Sequence, residues 1–214
     1  MTAQPAEPVR TLEIERAYDV DEGTPIPDWT ALPGVASIGP AEPRALDARY
    51  LDTPDGRLAA AHSALRRRSG GPDEGWHLKQ ATREGRVETH WPLDEVPDAD
   101  ADPVVPDEVI SGIAPLAAPP FIVLARIRNA RIAHALCDAD GGLVAEFVDD
   151  HVRALDARRG AESSWREWEL ELGPAAPEDE PGRAALFAAA DALVIAAGGR
   201  VAASTSKLGR ALGQ

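Results

Sequence analysis

Apolar and polar positions alternate along residues 12–20, so that in an extended strand Glu13 and Glu15 share one face. Leu12, Ile14, Tyr18 and Val20 lie on the other with Arg16. The same period of two recurs in 45–51, 64–68, 75–80, 86–93, 121–136, 143–152 and 164–172, and each segment is predicted as a strand. The cluster Ser69-Gly70-Gly71-Pro72-Asp73-Glu74 makes a hairpin of 64–68 and 75–80, and Asp138-Ala139-Asp140-Gly141-Gly142 turns 121–136 into 143–152.

Helical periodicity is confined to short pieces and one long one. Residues 28–32 form a helical turn, and Thr53-Pro54 reads as N-cap and N1 of a helix through Ala61. Asp107–Ile113 is a short helix, 183–197 a long one ended by Gly198-Gly199, and 204–212 a last short one. Residues 1–8 read as a tail, 9–213 as a single domain, and the acidic, proline-containing 94–106 as a loop or flap.

The polar faces of these strands are charged, and the charges are sorted. Arg66 and Arg68 share a face, as do His77 and Lys79, Arg86, Glu88 and His90, and Arg126 and Arg128, while Glu167, Glu169 and Glu171 oppose Trp168, Leu170 and Leu172. Taken singly, each is the solvated face of an antiparallel sheet. Taken together, carboxylate strands and cation strands are segregated, whereas solvated surfaces intersperse signs. That sorting suits a polyanion with its cation: guanidinium and ammonium groups bind phosphate oxygens, and clustered carboxylates hold a hard metal.

Composition narrows the classes. The 214 residues are 44% hydrophobic, enough for one core, and the formal charge of −14 argues against non-specific nucleic-acid binding and against an anionic membrane surface. Cys137 is the only cysteine, so an intrachain disulfide and a thiolate zinc site are excluded. The N-terminus lacks a signal-peptide pattern and the apolar run within 184–197 is broken by Asp191, so a soluble cytoplasmic protein is expected. No P-loop occurs, the five histidines lack zinc spacing, and the five tryptophans read as core residues. His77 and His90 read as strand-surface positions.

In order along the chain, Glu13-Ile14-Glu15-Arg16-Ala17, Tyr50-Leu51-Asp52-Thr53-Pro54, Leu65-Arg66-Arg67-Arg68, Trp76-His77-Leu78-Lys79, Trp165 to Glu171 and Ser206-Lys207-Leu208 resemble the CYTH, or triphosphate tunnel metalloenzyme, superfamily. This group includes inorganic triphosphatases, thiamine triphosphatases and class IV adenylate cyclases. The resemblance implies an α+β fold: a closed eight-stranded antiparallel β tunnel braced by helices. It implies that Arg66, Arg68, Lys79, Arg126, Arg128 and Lys207 bind a triphosphate or inorganic polyphosphate, and that Glu167 and Glu169 ligate Mg²⁺ or Mn²⁺. Glu13 and Glu15 would act on metal and attacking water, and Glu88, Glu146 and Asp150 would complete the acidic lining. Asp150 is preferred to Asp149 by its parity with Glu146. A homodimer is also expected, and any second, histidine-rich helical domain of the kind many relatives carry would be a separate protein.

The chain departs from the family's Glu-x-Glu-x-Lys motif at Ala17, and at Ala130, where relatives often carry a base. The Ala17 departure leaves a triphosphate hydrolase, slowed or shifted in substrate, beside a binding module for polyphosphate or nucleotide. A cyclase acting on ATP is a separate third reading, and it needs an adenine site that the sequence does not display.

Overall fold

The computed structural model describes residues 7–92, 101–204 and 206–214. Eleven strand segments form one curled, wholly antiparallel sheet: β1 (Val9–Glu13), β2 (Glu15–Val20), β3 (Ser37–Ile38), β4 (Glu42–Asp52), β5 (Ser63–Ser69), β6 (Gly75–Ala81), β7 (Arg86–Pro92), β8 (Ile122–Cys137), β9 (Leu143–Asp156), β10 (Ala161–Leu172) and β11 (Arg200–Val201). The helices are α1 (Arg57–Ala60), α2 (Asp107–Ile113), α3 (Glu180–Ala197) and α4 (Lys207–Ala211), with a 3-10 turn at Trp29–Ala31. Among the described residues no helix is long and apolar enough to cross a membrane.

The hydrogen-bonded order is β1-β7-β6-β5-β4-β8-β9-β10-β2-β11, with β3 on β8. The N-terminal strand expected over 12–20 is therefore two strands. Val9–Glu13 pairs with β7, Glu15–Val20 pairs with β10, and Ile14 alone joins them. Leu12 is consequently 48% exposed instead of packed with Tyr18 and Val20. Gly85, at the turn into β7, lets the chain close on β1, because a Cβ there would lie 2.2 Å from the Glu13 carbonyl oxygen.

The apolar core lies mainly on the convex side of the sheet. Tyr18, Phe147, Trp168 and Leu170 pack beneath Leu186, Phe187, Ala190 and Val194 of α3, and Leu65, Trp76, Leu78 and Trp91 pack beneath Val109 and Ile113 of α2. All five tryptophans are buried, as expected. A third cluster, Ala48, Tyr50, Ile127, Val152, Ala154 and Trp165, receives Ala211 and Leu212 from the end of α4. Part of this third cluster, with Ala48, Tyr50 and Ile127, reaches the concave face, and the rest of that face is given largely to charged side chains.

Caps place the helices that matter. Asp179 accepts a hydrogen bond from Gly182 N at the start of α3, and Gly198 ends it in the left-handed conformation (φ 99°). Ser206 accepts from Gly209 N and starts α4 immediately before Lys207. The helix expected from Thr53-Pro54 begins later, at Arg57. Asp52 joins Thr53 in organising it: the Thr53 hydroxyl accepts from Arg57 N (2.9 Å), and the Asp52 carboxylate accepts from Thr53 N (2.7 Å), Leu58 N (2.9 Å) and Ala59 N (3.0 Å). The flap expected over 94–106 lies outside the described residues up to position 100.

Candidate functional site

The concave face encloses a cavity of about 830 Å³. Its walls take Arg66 and Arg68 from β5, Lys79 from β6, Arg86 from β7, Arg44 from β4 and Asn129 and Arg131 from β8. Facing them are Glu13 and Glu15 at the β1–β2 junction, Glu146 of β9, Glu169 and Glu171 of β10, and Lys207 of α4.

These charges form a connected network. Lys79 Nζ lies 2.5 Å from Glu13 Oε2 and 3.2 Å from Glu88 Oε2, Arg66 lies 3.5 Å from Glu88, and Arg86 pairs with Glu15. Glu88 also accepts from His77 Nδ1 (2.9 Å), while Arg66 donates to the Tyr50 hydroxyl (3.4 Å). Burial alone would raise Glu88, but His77, Lys79 and Arg66 hold its carboxyl well below the usual range. Burial pushes His77 down to about 3 against the opposing pull of Glu88. His77 is fully buried, not on the strand surface expected of it.

On the opposite wall Lys207 Nζ lies 2.5 Å from Glu167 Oε1, 2.5 Å from Glu169 Oε1 and 3.1 Å from Asp150 Oδ2. Arg131 grips Asp150 through two bonds (2.8 and 2.7 Å) and reaches Glu169 at 2.9 Å. Burial opposes charge on Asp150, Glu169 and Lys207, yet Lys207 and Arg131 hold Asp150 and Glu169 in the ionised form, and those carboxylates hold Lys207 well above an ordinary lysine. Among the described residues no cation pairs directly with Glu171, and Lys79 acts on it only at a distance. Burial first, then Glu13, push it up to about 7. Glu15 is raised by burial and by Glu169.

Most of the expected site residues meet here. Arg66, Arg68, Lys79 and Lys207 come together with Glu13, Glu15, Glu88, Glu146, Asp150, Glu167 and Glu169. Asp149 points the other way and binds Arg166 on the convex side (2.8 and 2.9 Å).

Arg126 and Arg128 need correction, since neither lines the cavity. Both pair with Asp47 on the convex face, Arg126 at 2.6 Å and Arg128 at 3.3 Å, and the Arg128 side chain is 57% exposed. The cause is a bulge at Leu124. Tyr50 pairs with Ala125 and Leu51 with Val123, so Leu124 is an extra residue and the inward parity changes from Ile122 and Leu124 to Ile127, Asn129 and Arg131. Arg131 is thus the inward cation of β8, and Ala130 faces out. Arg44, Arg131 and Glu171 were not singled out from sequence as site residues; Arg44 lies in a stretch read as Gly/Pro-rich connection, and Arg131 emerges only with the bulge.

A curled antiparallel sheet with a charged concave face and helices outside is the arrangement to compare with known proteins. The family model for the CYTH domain matches residues 27–191. The chain belongs to the CYTH family. Two curated relatives, from two strains of Mycobacterium tuberculosis and both described only as uncharacterized, are 38% identical over an alignment of 184 residues that covers 80% of this chain. The chain spans only 35% of their length. Among solved structures, a candidate adenylate cyclase from Bacillus halodurans superposes with a TM-score of 0.57 at 18% identity, covering 94% of this chain and 97% of that one. Another from Vibrio parahaemolyticus gives 0.54 at 15%, covering 95% and 98%. At these identities the likeness establishes the CYTH fold.

Among the described residues of this CYTH domain one group has ligand atoms close enough together to hold a metal ion as it stands. Atoms of Asp73, His77 and Glu88 lie within 4.8 Å of one another. They are already engaged, however: Asp73 pairs with Arg68, His77 Nε2 meets the Asp73 carbonyl (3.0 Å), and Glu88 faces Arg66 and Lys79. Asp150, Glu167 and Glu169 all meet the Lys207 ammonium, and Arg131 also holds Asp150 and Glu169. The hard oxygens of these three carboxylates suit Mg²⁺ or Mn²⁺.

Proposed function

We propose that the cavity binds a linear triphosphate and hydrolyses it with a divalent metal. The observation that carries this reading is that Arg66 and Arg68 line the cavity and each keeps a buried Nε without a hydrogen-bond partner. A buried guanidinium N–H without an acceptor is costly, and phosphate oxygens supply acceptors in the matching geometry. Arg68, pushed down to about 9 by burial and by Arg66 and Arg131, is still a cation at neutral pH.

In this reading Arg66, Arg68 and Lys79 take phosphate oxygens from one wall, and Arg131, Arg44 and Lys207 from the other. Glu167 and Glu169, assisted by Asp150, would hold Mg²⁺ or Mn²⁺, which when bound polarises the phosphoryl group under attack. Glu13 and Glu15 orient the attacking water, Lys79 and Arg86 holding their carboxylates in place. Glu88 fixes Arg66 and Lys79. The continuity of β1 and β2 through Ile14 supports a closed tunnel of eight long strands, counting those two as one and setting aside the two-residue β3 and β11. A single cysteine, Cys137, suits a reducing, cytoplasmic setting.

A second reading, a module that binds triphosphate or polyphosphate without turning it over, is favoured by Ala17. Its short side chain stands on the inward face opposite Glu169, where the motif has a lysine. Inorganic phosphate release from tripolyphosphate, ATP and thiamine triphosphate with Mg²⁺ or Mn²⁺ separates the readings. Release supports hydrolysis, binding without release supports the module, and pyrophosphate with cyclic AMP from ATP would make the domain a cyclase.

A further inference from the structure

Lys207 stands on the one point where Asp150, Glu167 and Glu169 converge. Its side chain is 10% exposed, and theirs are 0%, 9% and 14%. The three carboxylates carry three negative charges, and Lys207 with Arg131 returns two of them. Arg210 is farther off, 3.8 Å from Glu167, and engages Asp19 at 2.6 Å. Asp19 is also reached by Arg200 (3.5 Å), so Arg210 is shared between Asp19 and Glu167. Counting only the groups in direct contact with the three carboxylates, a divalent cation in the lysine's place would leave them neutral with Arg131. Lysine can make that exchange, being a flexible chain that also lines the cavity. Arginine at 131 cannot do so as easily, since two bonds fix its fork on Asp150.

We propose that the Lys207 ammonium and a divalent metal ion are alternative occupants of the Asp150–Glu167–Glu169 carboxylates, so that metal entry turns Lys207 into the cavity. The inference rests on the metal reading above and adds an order of events. The metal displaces Lys207, and the displaced ammonium then becomes available to an anion. α4 stays docked through Arg210 over the Trp165 ring (4.7 Å) and through Ala211 and Leu212 in the apolar cluster. Trp165 Nε1 also donates to Glu167, so its indole senses the carboxylates.

The test uses Mn²⁺ alone, without phosphate. Calorimetry and tryptophan fluorescence compare the wild-type chain with Lys207→Gln and with the charge-keeping Lys207→Arg. Lys207→Gln should bind Mn²⁺ about tenfold more tightly, within the ~5–150-fold range of coupled sites, and Lys207→Arg should bind close to wild type. Crystals soaked in Mn²⁺ should show its anomalous peak on Glu167 and Glu169 with Lys207 turned away. Unchanged affinity in Lys207→Gln, or a bound Mn²⁺ with Lys207 still on the carboxylates, overturns the exchange while leaving the metal reading intact. If neither wild type nor Lys207→Gln binds Mn²⁺, the metal reading falls first. Circular dichroism of each variant identifies a loss of fold, and in that case Lys207→Met supplies the neutral side chain.

Discussion

Ala17 and Glu169 face each other in the β2–β10 ladder. Ala17 is 4% exposed, so a methyl group covers the carboxylate on the strand side while Lys207 covers it from α4. The pair marks where this domain departs from its family's motif.

If that departure limits turnover, Ala17→Lys returns a cation beside Glu169 on the inward face. Phosphate release should then rise by about tenfold or more, in line with the ~10²-fold cost of removing one transition-state donor. Steady-state rates with tripolyphosphate measure it, and an unchanged or lower rate in a folded variant would show that Ala17 is not the limit.

The two faces of the sheet predict opposite outcomes for arginines. Removing Arg66 or Arg68 should weaken tripolyphosphate binding about 10- to 100-fold, since a charge-assisted hydrogen bond contributes ~1.5–3 kcal/mol. Arg128→Ala, on the convex face, should leave it within about twofold, below the ~1.4 kcal/mol that a tenfold change represents. Calorimetric titration decides between them.

Adjacent aspartates should separate in the same way. Asp149→Ala breaks a buried bidentate pair with Arg166 and removes the acceptor of Trp168 Nε1, so it should cost about 3–5 kcal/mol in urea unfolding. Asp150→Asn, nearly isosteric and on the inward face, should alter Mn²⁺ affinity more than stability.

Glu171 gives a pH signature. Its carboxyl is raised to about 7 in the folded chain from 4.5, so between these values the folded state holds a proton that the unfolded state has lost. Its contribution is therefore best at acid pH and falls as pH climbs through 7. Glu171→Gln should raise Tm at pH 8 and make little difference near pH 4, as differential scanning fluorimetry without metal can show.

Much of this was legible in the sequence because alternation and sorted charge are local. Glu167 and Glu169 face inward as their alternation requires, and Asp150 follows Glu146 in parity. What escaped is set by pairing between distant strands. Nothing in 12–20 announces that Ile14 divides the chain between β7 and β10. The Leu124 bulge carries no glycine or proline, yet it turns Arg126 and Arg128 outward and Arg131 inward. Burial of His77 depends on Glu88 and the Asp73 carbonyl, which only the folded hairpin brings to it.

The central claim is that the concave cavity is where a triphosphate is bound and cleaved. Its most direct test is phosphate release from tripolyphosphate with Mg²⁺ or Mn²⁺ by the wild-type chain, Arg66→Ala and Glu169→Ala, each checked for fold. The account predicts metal-dependent release by wild type and a fall of about 10²-fold or more in both variants. Equal release by all three, or release indifferent to metal, would contradict it.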